Sequence, residues 1–217
     1  MSDFARRRTT MVDTQVRPSD VTSFPIIDAM LSVPRERFVP AALRDAAYTG
    51  EHLNTGHGRT LLDPRTFAKM LEAAQIGPDQ LVLDVACGLG YSSAVLAHLA
   101  EAVVALDEVP ELCSEAETLL GEIGADNVAV VEGALAEGAA RHGPYDTIFI
   151  EGAVEQVPQA LTDQLKDGGR IVAIFREGEL GVVRTGLKAD DVITWRYAFN
   201  ASAPVLKGFE RKVEFAL

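Results

Sequence analysis

Two carboxylates and a pair of glycines mark the part of this chain equipped for chemistry. Asp84 sits in the run Leu81-Val82-Leu83-Asp84-Val85-Ala86, and Cys87-Gly88-Leu89-Gly90 breaks that run before Tyr91-Ser92-Ser93-Ala94-Val95-Leu96-Ala97 resumes. Glycine lets backbone approach a ligand with no Cβ in the way, so Gly88 and Gly90 make a turn over which a small molecule can lie. Asp107, 19 residues beyond Gly88, closes a second apolar run. A carboxylate there can accept hydrogen bonds from two ribose hydroxyls. Its plainer reading is a cap on the helix that Pro110 opens. A dinucleotide fingerprint needs a third glycine where Ser93 stands. Without it the residues suit an adenosine ligand lacking a pyrophosphate, and S-adenosylmethionine answers that description.

These residues must be held by a strand, a tight turn and a helix, and the pattern around them supplies all three. From Gln80 the chain alternates apolar runs with helical ones: Gln80–Ala86, Ser92–Ala100, Ala102–Leu106, Glu111–Leu120, Val128–Val131, a short alanine-rich helix, Tyr145–Ile150, Val157–Lys166, and Arg170–Phe175 after Gly168-Gly169. Such alternation predicts five parallel strands covered on both faces. Val192–Phe199 and Lys212–Leu217 read as a closing antiparallel pair. Upstream, Ile26, Ile27, Met30, Leu31 and Val33 recur at helical spacing, with Asp20 or Ser23 as N-cap and Pro34 as stop. Residues 48–64 read as a polar, glycine-bearing loop. Pro64 then opens a helix with a packing stripe of Phe67, Met70, Leu71 and Ala74. The organisation expected is a helical extension over 1–76 packed on a core over 77–217, as one structural unit.

Composition narrows the function. A length of 217 residues buries a full core, and a formal charge of −12 disfavours nucleic-acid partners, whose phosphates the surface would repel. No apolar run approaches the roughly 18–20 residues that cross a membrane, and no apolar segment follows Arg6-Arg7-Arg8 to make a secretory signal. The expected location is therefore cytoplasmic. Cys87 and Cys113 are the only cysteines, too few for a disulfide framework or zinc spacing, and read as small buried hydrophobes. His52, His57, His98 and His142 show no ligand pair, so no metal is expected.

Asp84-x-x-x-Gly88-x-Gly90-Tyr91 together with Asp107 resembles the class I methyltransferases, and several flanking segments resemble the protein-L-isoaspartate O-methyltransferase branch. They are Met11-Val12 through Val33-Pro34-Arg35-Glu36-Arg37-Phe38-Val39-Pro40, Ala47-Tyr48 through Gly58-Arg59-Thr60, Gly143-Pro144-Tyr145-Asp146, and Gln164-Leu165-Lys166-x-Gly168-Gly169-Arg170, in the family's order. The resemblance implies a Rossmann-like α/β fold with a mostly parallel seven-stranded sheet flanked by helices. It implies S-adenosyl-L-methionine as cofactor, held by Asp84, Ala86, Gly88, Gly90, Tyr91, Asp107, Glu108, Gly133 and Ala134. It also implies an isoaspartyl carboxylate in damaged protein as the methyl acceptor, with an acceptor loop at Thr60, Leu62 and Asp63.

Three places differ from the family pattern. The acceptor loop, approximately Gly-x-Gly-Gln-Thr-Ile-Ser-x-Pro in the family, here reads Gly56-His57-Gly58-Arg59-Thr60-Leu61-Leu62-Asp63-Pro64, which puts Leu62 at the serine position. The acid of the family's Gly-Asp-Gly is Ala134, after Gly133. The run after the fourth parallel strand is Glu151-Gly152-Ala153, and that after the fifth is Ile174-Phe175-Arg176. An acceptor carboxylate with a pKa near ~4 is already ionised at neutral pH, so its methylation depends on placement more than on a base. Two further readings stand beside isoaspartyl methylation: a divergent member with another acceptor, and a non-catalytic binding module that keeps the fold. Ser93 argues against a nicotinamide-dependent reductase, and no Ser-His-Asp or Cys-His arrangement supports a hydrolase.

Overall fold

The computed structural model describes residues 3–211. Five strands run parallel: β3 (Leu81–Val85), β4 (Ala102–Asp107), β5 (Val128–Glu132), β6 (Tyr145–Val154) and β7 (Leu165–Glu177). Two more, β8 (Leu180–Ala189) and β9 (Val192–Asn200), close one edge antiparallel, so the order is β5-β4-β3-β6-β7-β8-β9. The chain steps outward from β3 through β4 to β5, then returns to lay β6 on the other side of β3. That reversal opens a crevice between the carboxyl ends of β3 and β6, the place where open α/β sheets bind ligands. The seven-stranded, mostly parallel sheet is the fold class that the alternation and the family resemblance implied.

Helices cover both faces. The stripe on α3 (Pro64–Ala74) is buried as its spacing requires, with Phe67, Met70, Leu71 and Ala74 at most 1% exposed. It joins one core with α4 (Tyr91–Ala97), α5 (Pro110–Glu122) and the N-terminal region, where α1 (Asp3–Met11), a π-helical turn over Val12–Val16 and α2 (Phe24–Ser32) contribute Met11, Val12, Val16, Ile27 and Met30. The opposite face packs Ile148, Ile150 and Ile171 against Leu161 of α6 (Gln159–Asp163) and against Leu206 and Phe209 of the tail.

Four expectations need correction. The stretch 48–64 is not simply a loop: it holds a hairpin of β1 (Leu53–Gly56) and β2 (Arg59–Leu61), turned through His57 and Gly58, both in the left-handed region. Strands this short show no alternation to read. The antiparallel edge pairs β9 with β8, not with Lys212–Leu217, which lies outside the described residues. β8 carries Gly181 and Gly186, which interrupt a strand pattern; both sit where a Cβ would collide with neighbouring backbone or side chains. The helix expected over Val157–Lys166 is only the five residues of α6, because Leu165 already pairs with Tyr145 at the start of β7. Finally, of the two N-cap candidates Ser23 occupies the N-cap position of α2, though with no side-chain capping bond, while Asp20 lies outside the helix in the left-handed region.

Candidate active site

At the end of β3 the chain turns through Ala86, Gly88 and Gly90, all with positive φ (65°, 56° and 90°). The N–H groups of Ala86 and Cys87 donate to the Leu106 carbonyl, which pins the turn against β4. Gly90 is tight for packing reasons, since a Cβ there would lie 3.2 Å from Leu120 Cδ1. Asp84 is fully buried in β3, and its Oδ2 accepts from Ser92 Oγ and Ser93 Oγ, each at 2.6 Å. Ser93, at the third-glycine position, thus contributes a hydroxyl to the carboxylate. Asp84 Oδ1 has no hydrogen-bond partner among the described residues.

Asp107 ends β4 beside this turn, fully buried. Arg59 Nε donates to its Oδ2 at 2.8 Å and Arg59 Nη2 to its Oδ1 at 3.0 Å, a fork-to-fork pair. The Gly88 N–H donates to Oδ2 and the Val109 N–H to Oδ1, both at 3.0 Å. Asp107 therefore joins the glycine turn to Val109, which precedes α5 and is its N-cap; the carboxylate itself is not the cap. Arg59 Nη2 also reaches Glu108 Oε1 at 3.3 Å. Burial works against the guanidinium's charge, but its bonds to Asp107 and Glu108 outweigh that and hold its pKa above the ordinary arginine value.

Across the crevice, Glu151 near the end of β6 is 5% exposed, and its Oε1 has no hydrogen-bond partner among the described residues. Burial, helped by the charge of Asp84 and opposed by Arg35, pushes its carboxyl well above the usual carboxylate range. Burial likewise raises Asp84 to about 6 against the two serine bonds. Cys87 also lines the cleft, its thiol pushed up by burial and by the neighbouring Asp84 and Asp107.

Phe38, Thr55, Arg59, Thr60, Leu61, Ala86, Cys87, Gly88, Leu89, Tyr91, Ser92 and Glu151 enclose a cleft of about 20 Å³. Of the residues singled out from sequence, Thr60, Ala86, Gly88 and Tyr91 line it, and Asp84 and Asp107 stand behind it. Leu62 does not line it: the side chain is fully buried in the core and its carbonyl accepts from Arg35 Nη2 at 2.6 Å. Asp63 is the N-cap of α3, its Oδ1 accepting from the Thr66 N–H at 2.9 Å. Gly133 donates its N–H to the Asp107 carbonyl, while Ala134 is exposed at the start of a 3-10 turn. Sequence reasoning passed over Arg59, although its charge amid glycines on the acceptor loop was visible. It passed over Arg35 too, quoted only as part of a signature, yet fully buried with its guanidinium 4.8 Å from the Tyr91 ring centroid.

The residue types suit an S-adenosyl group: unpartnered buried carboxylate oxygens at Asp84 and Glu151, glycines at the turn, and a carboxylate closing the next strand. The space is another matter. Small-molecule sites run to about 300–1,000 Å³, and here the Arg59 stem covers the turn, with Cβ and Cγ 3.7 and 3.9 Å from where a Cβ on Gly88 would be. Among the described residues, no cluster of three or more His, Cys, Asp or Glu is placed to hold a metal ion, and no helix is long and apolar enough to cross a membrane.

The family model described as Protein-L-isoaspartate(D-aspartate) O-methyltransferase matches residues 6–198. A protein-L-isoaspartate O-methyltransferase of Gloeobacter violaceus is 41% identical over 162 residues, covering 75% of this chain and 79% of that protein. One of Koribacter versatilis is 39% identical over 180 residues, covering 83% and 81%. A solved protein-L-isoaspartate O-methyltransferase superposes with a TM-score of 0.81 at 24% identity, over 93% of this chain and 66% of that one. A Plasmodium falciparum structure described as the same kind of enzyme, in complex with S-adenosyl-L-homocysteine, superposes with a TM-score of 0.78 at 17% identity, over 95% and 99%. These two structures match in fold.

Proposed function

The chain belongs to the protein-L-isoaspartate(D-aspartate) O-methyltransferase family, and we propose that it transfers a methyl group from S-adenosylmethionine to the carboxylate of an isoaspartyl residue in damaged protein. The observation that carries this reading is the meeting of Asp84, the Gly88–Gly90 turn and Asp107 at the crevice between β3 and β6. Two buried, unpaired cysteines support the cytoplasm as its place of action.

When bound, the cofactor supplies a methyl group activated by a sulfonium cation. The protein's part is to hold that cation and to place the acceptor. Glu151 lines the cleft, Asp84 and Asp107 stand behind it and Glu108 meets Arg59 beside it, a concentration of carboxyl groups suited to a cationic ligand. In this reading Asp107 takes the ribose hydroxyls, and Gly88, beside Ala86, brings bare backbone to the cleft. The acceptor carboxylate is ionised at neutral pH and needs no base. Alignment of reacting groups is worth up to about 7–11 kcal/mol in well-oriented systems, so positioning alone accounts for a large acceleration. Thr60 is the acceptor-loop hydroxyl that lines the cleft.

Incubation with an isoaspartyl peptide and methyl-labelled S-adenosylmethionine tests this reading, with calorimetric titration of S-adenosyl-L-homocysteine beside it. Label on the isoaspartyl peptide and none on its aspartyl counterpart is expected. Binding without transfer would instead favour a member that methylates another acceptor or binds the cofactor only, a reading that the burial of Leu62 away from the cleft supports.

A further inference from the structure

We infer that Arg59 is the residue that recognises the acceptor carboxylate, and that it is held in reserve on Asp107, so that acceptor and cofactor binding are coupled through one exchange of partners. This rests on the reading of the chain as an isoaspartyl methyltransferase. It begins with a competition. Asp107 is the carboxylate placed for the ribose diol, yet each of its oxygens already accepts one bond from Arg59 and one from a backbone N–H. The arginine stem lies over Gly88, where the same ligand would have to lie. Seating the cofactor therefore requires Arg59 to leave, and a guanidinium removed from a buried carboxylate needs another anion.

The acceptor provides one of matching shape. A carboxylate presents the planar pair of oxygens that Arg59 now grips on Asp107, and the guanidinium fork is built for that geometry. Charge makes the exchange necessary as well as feasible. An anionic acceptor must enter a cleft lined by Glu151, with Asp84 and Asp107 behind it and Glu108 on Arg59, and Arg59 is the one cation among the described residues lining it. Arg59 lies on β2, beside Thr60 on the loop assigned to the acceptor by family resemblance, and both line that cleft. It also offers the acceptor a polar contact that Leu62, buried in the core, does not.

Thermodynamic linkage makes this measurable without turnover, because an acceptor that removes Arg59 from Asp107 must tighten the cofactor product by the same factor that the product tightens the acceptor. The experiment is calorimetric titration of S-adenosyl-L-homocysteine into the full chain and into Arg59→Gln and Arg59→Lys, with and without a saturating isoaspartyl peptide. The same peptide as its carboxyl methyl ester serves as control. In the parent, the peptide is expected to tighten S-adenosyl-L-homocysteine by at least about 5-fold, the low end of ordinary coupling, and the ester to leave it unmoved. Arg59→Gln is expected to bind S-adenosyl-L-homocysteine more tightly than the parent and to lose the response to peptide. Arg59→Lys, which keeps the charge but not the fork, is expected to fall between, and it reads the same exchange if the glutamine variant fails to fold. Equal affinity in parent and variants, or a peptide response that survives in Arg59→Gln or is matched by the ester, overturns the inference while leaving the cofactor reading standing. No binding of S-adenosyl-L-homocysteine to any of the three proteins removes the cofactor reading and the inference with it.

Discussion

Arg35 Nη2 donates to the Leu62 carbonyl at 2.6 Å, joining two segments 27 residues apart in the chain. Arg35 Nε donates to the Ala47 carbonyl at 2.7 Å, and the guanidinium lies over Tyr91 at the start of the helix that follows the glycine turn. One buried cation thus ties the N-terminal region to the acceptor loop and both to the crevice.

Arg35→Ala removes two charge-assisted bonds to buried carbonyls and the packing on Tyr91. A loss of about 3 kcal/mol is expected. For a chain of this size, that corresponds to a fall in melting temperature of roughly 6–12 °C, read by differential scanning calorimetry.

Leu62→Ser restores the residue type of the family's loop, but at a position that does not face the cleft. The substitution leaves a cavity and a hydroxyl among apolar neighbours, for an expected loss of about 2–3 kcal/mol in chemical denaturation. Labelled methyl transfer to an isoaspartyl peptide is not expected to rise. A gain of transfer would show that the loop turns this residue into the cleft when substrate binds.

Asp84 titrates near 6 in the folded protein, above its unfolded value near 3.9, because burial disfavours the carboxylate. The folded state therefore holds its proton more tightly. The associated stability is fully present below about pH 4 and is lost as pH rises through about 6. Glu151, also shifted upward by burial, acts in the same direction. Asp84→Asn, which can still accept from Ser92 and Ser93, is expected to flatten the decline of stability between pH 4 and 6.5. Urea titrations of parent and variant across that range measure the difference.

Gly152 stands where a Cβ would lie 2.7 Å from Leu206 Cγ, and Leu206 is buried at 3% exposure. The tail is laced to β6 there, with the Ala153 N–H donating to the Pro204 carbonyl and the Leu206 N–H to the Ala153 carbonyl. Gly152→Ala is expected to cost about 1–3 kcal/mol by overpacking. In a double-mutant cycle with Leu206→Ala, the combined loss should be smaller than the sum, because the second change removes the collision.

Much of the architecture can be read along the chain because it is written in local periodicity. The apolar run, glycine break and helix from Leu81 to Ala97 appear in the structure as β3, turn and α4, and Asp107 ends β4 as its run implied. The shortfall follows the same logic. β1 and β2 are too short to alternate, β8 carries glycines where neighbours crowd in, and α6 gives way early to a strand whose register depends on Tyr145.

By itself, then, the sequence determined the five parallel strands between Gln80 and Phe175, the glycine turn and the carboxylates beside it. Each of these depends on residues close together in the chain. Only the tertiary structure decided which distant groups meet: Arg59 on Asp107 across 48 residues, Arg35 on the Leu62 carbonyl, and Glu151 Oε1 buried with no partner among the described residues. Periodicity tells which face of an element is apolar, and therefore that it will be covered. It does not tell which side chain of a distant segment arrives there, because that is set by how whole elements pack and by which charges must be paired once water is excluded.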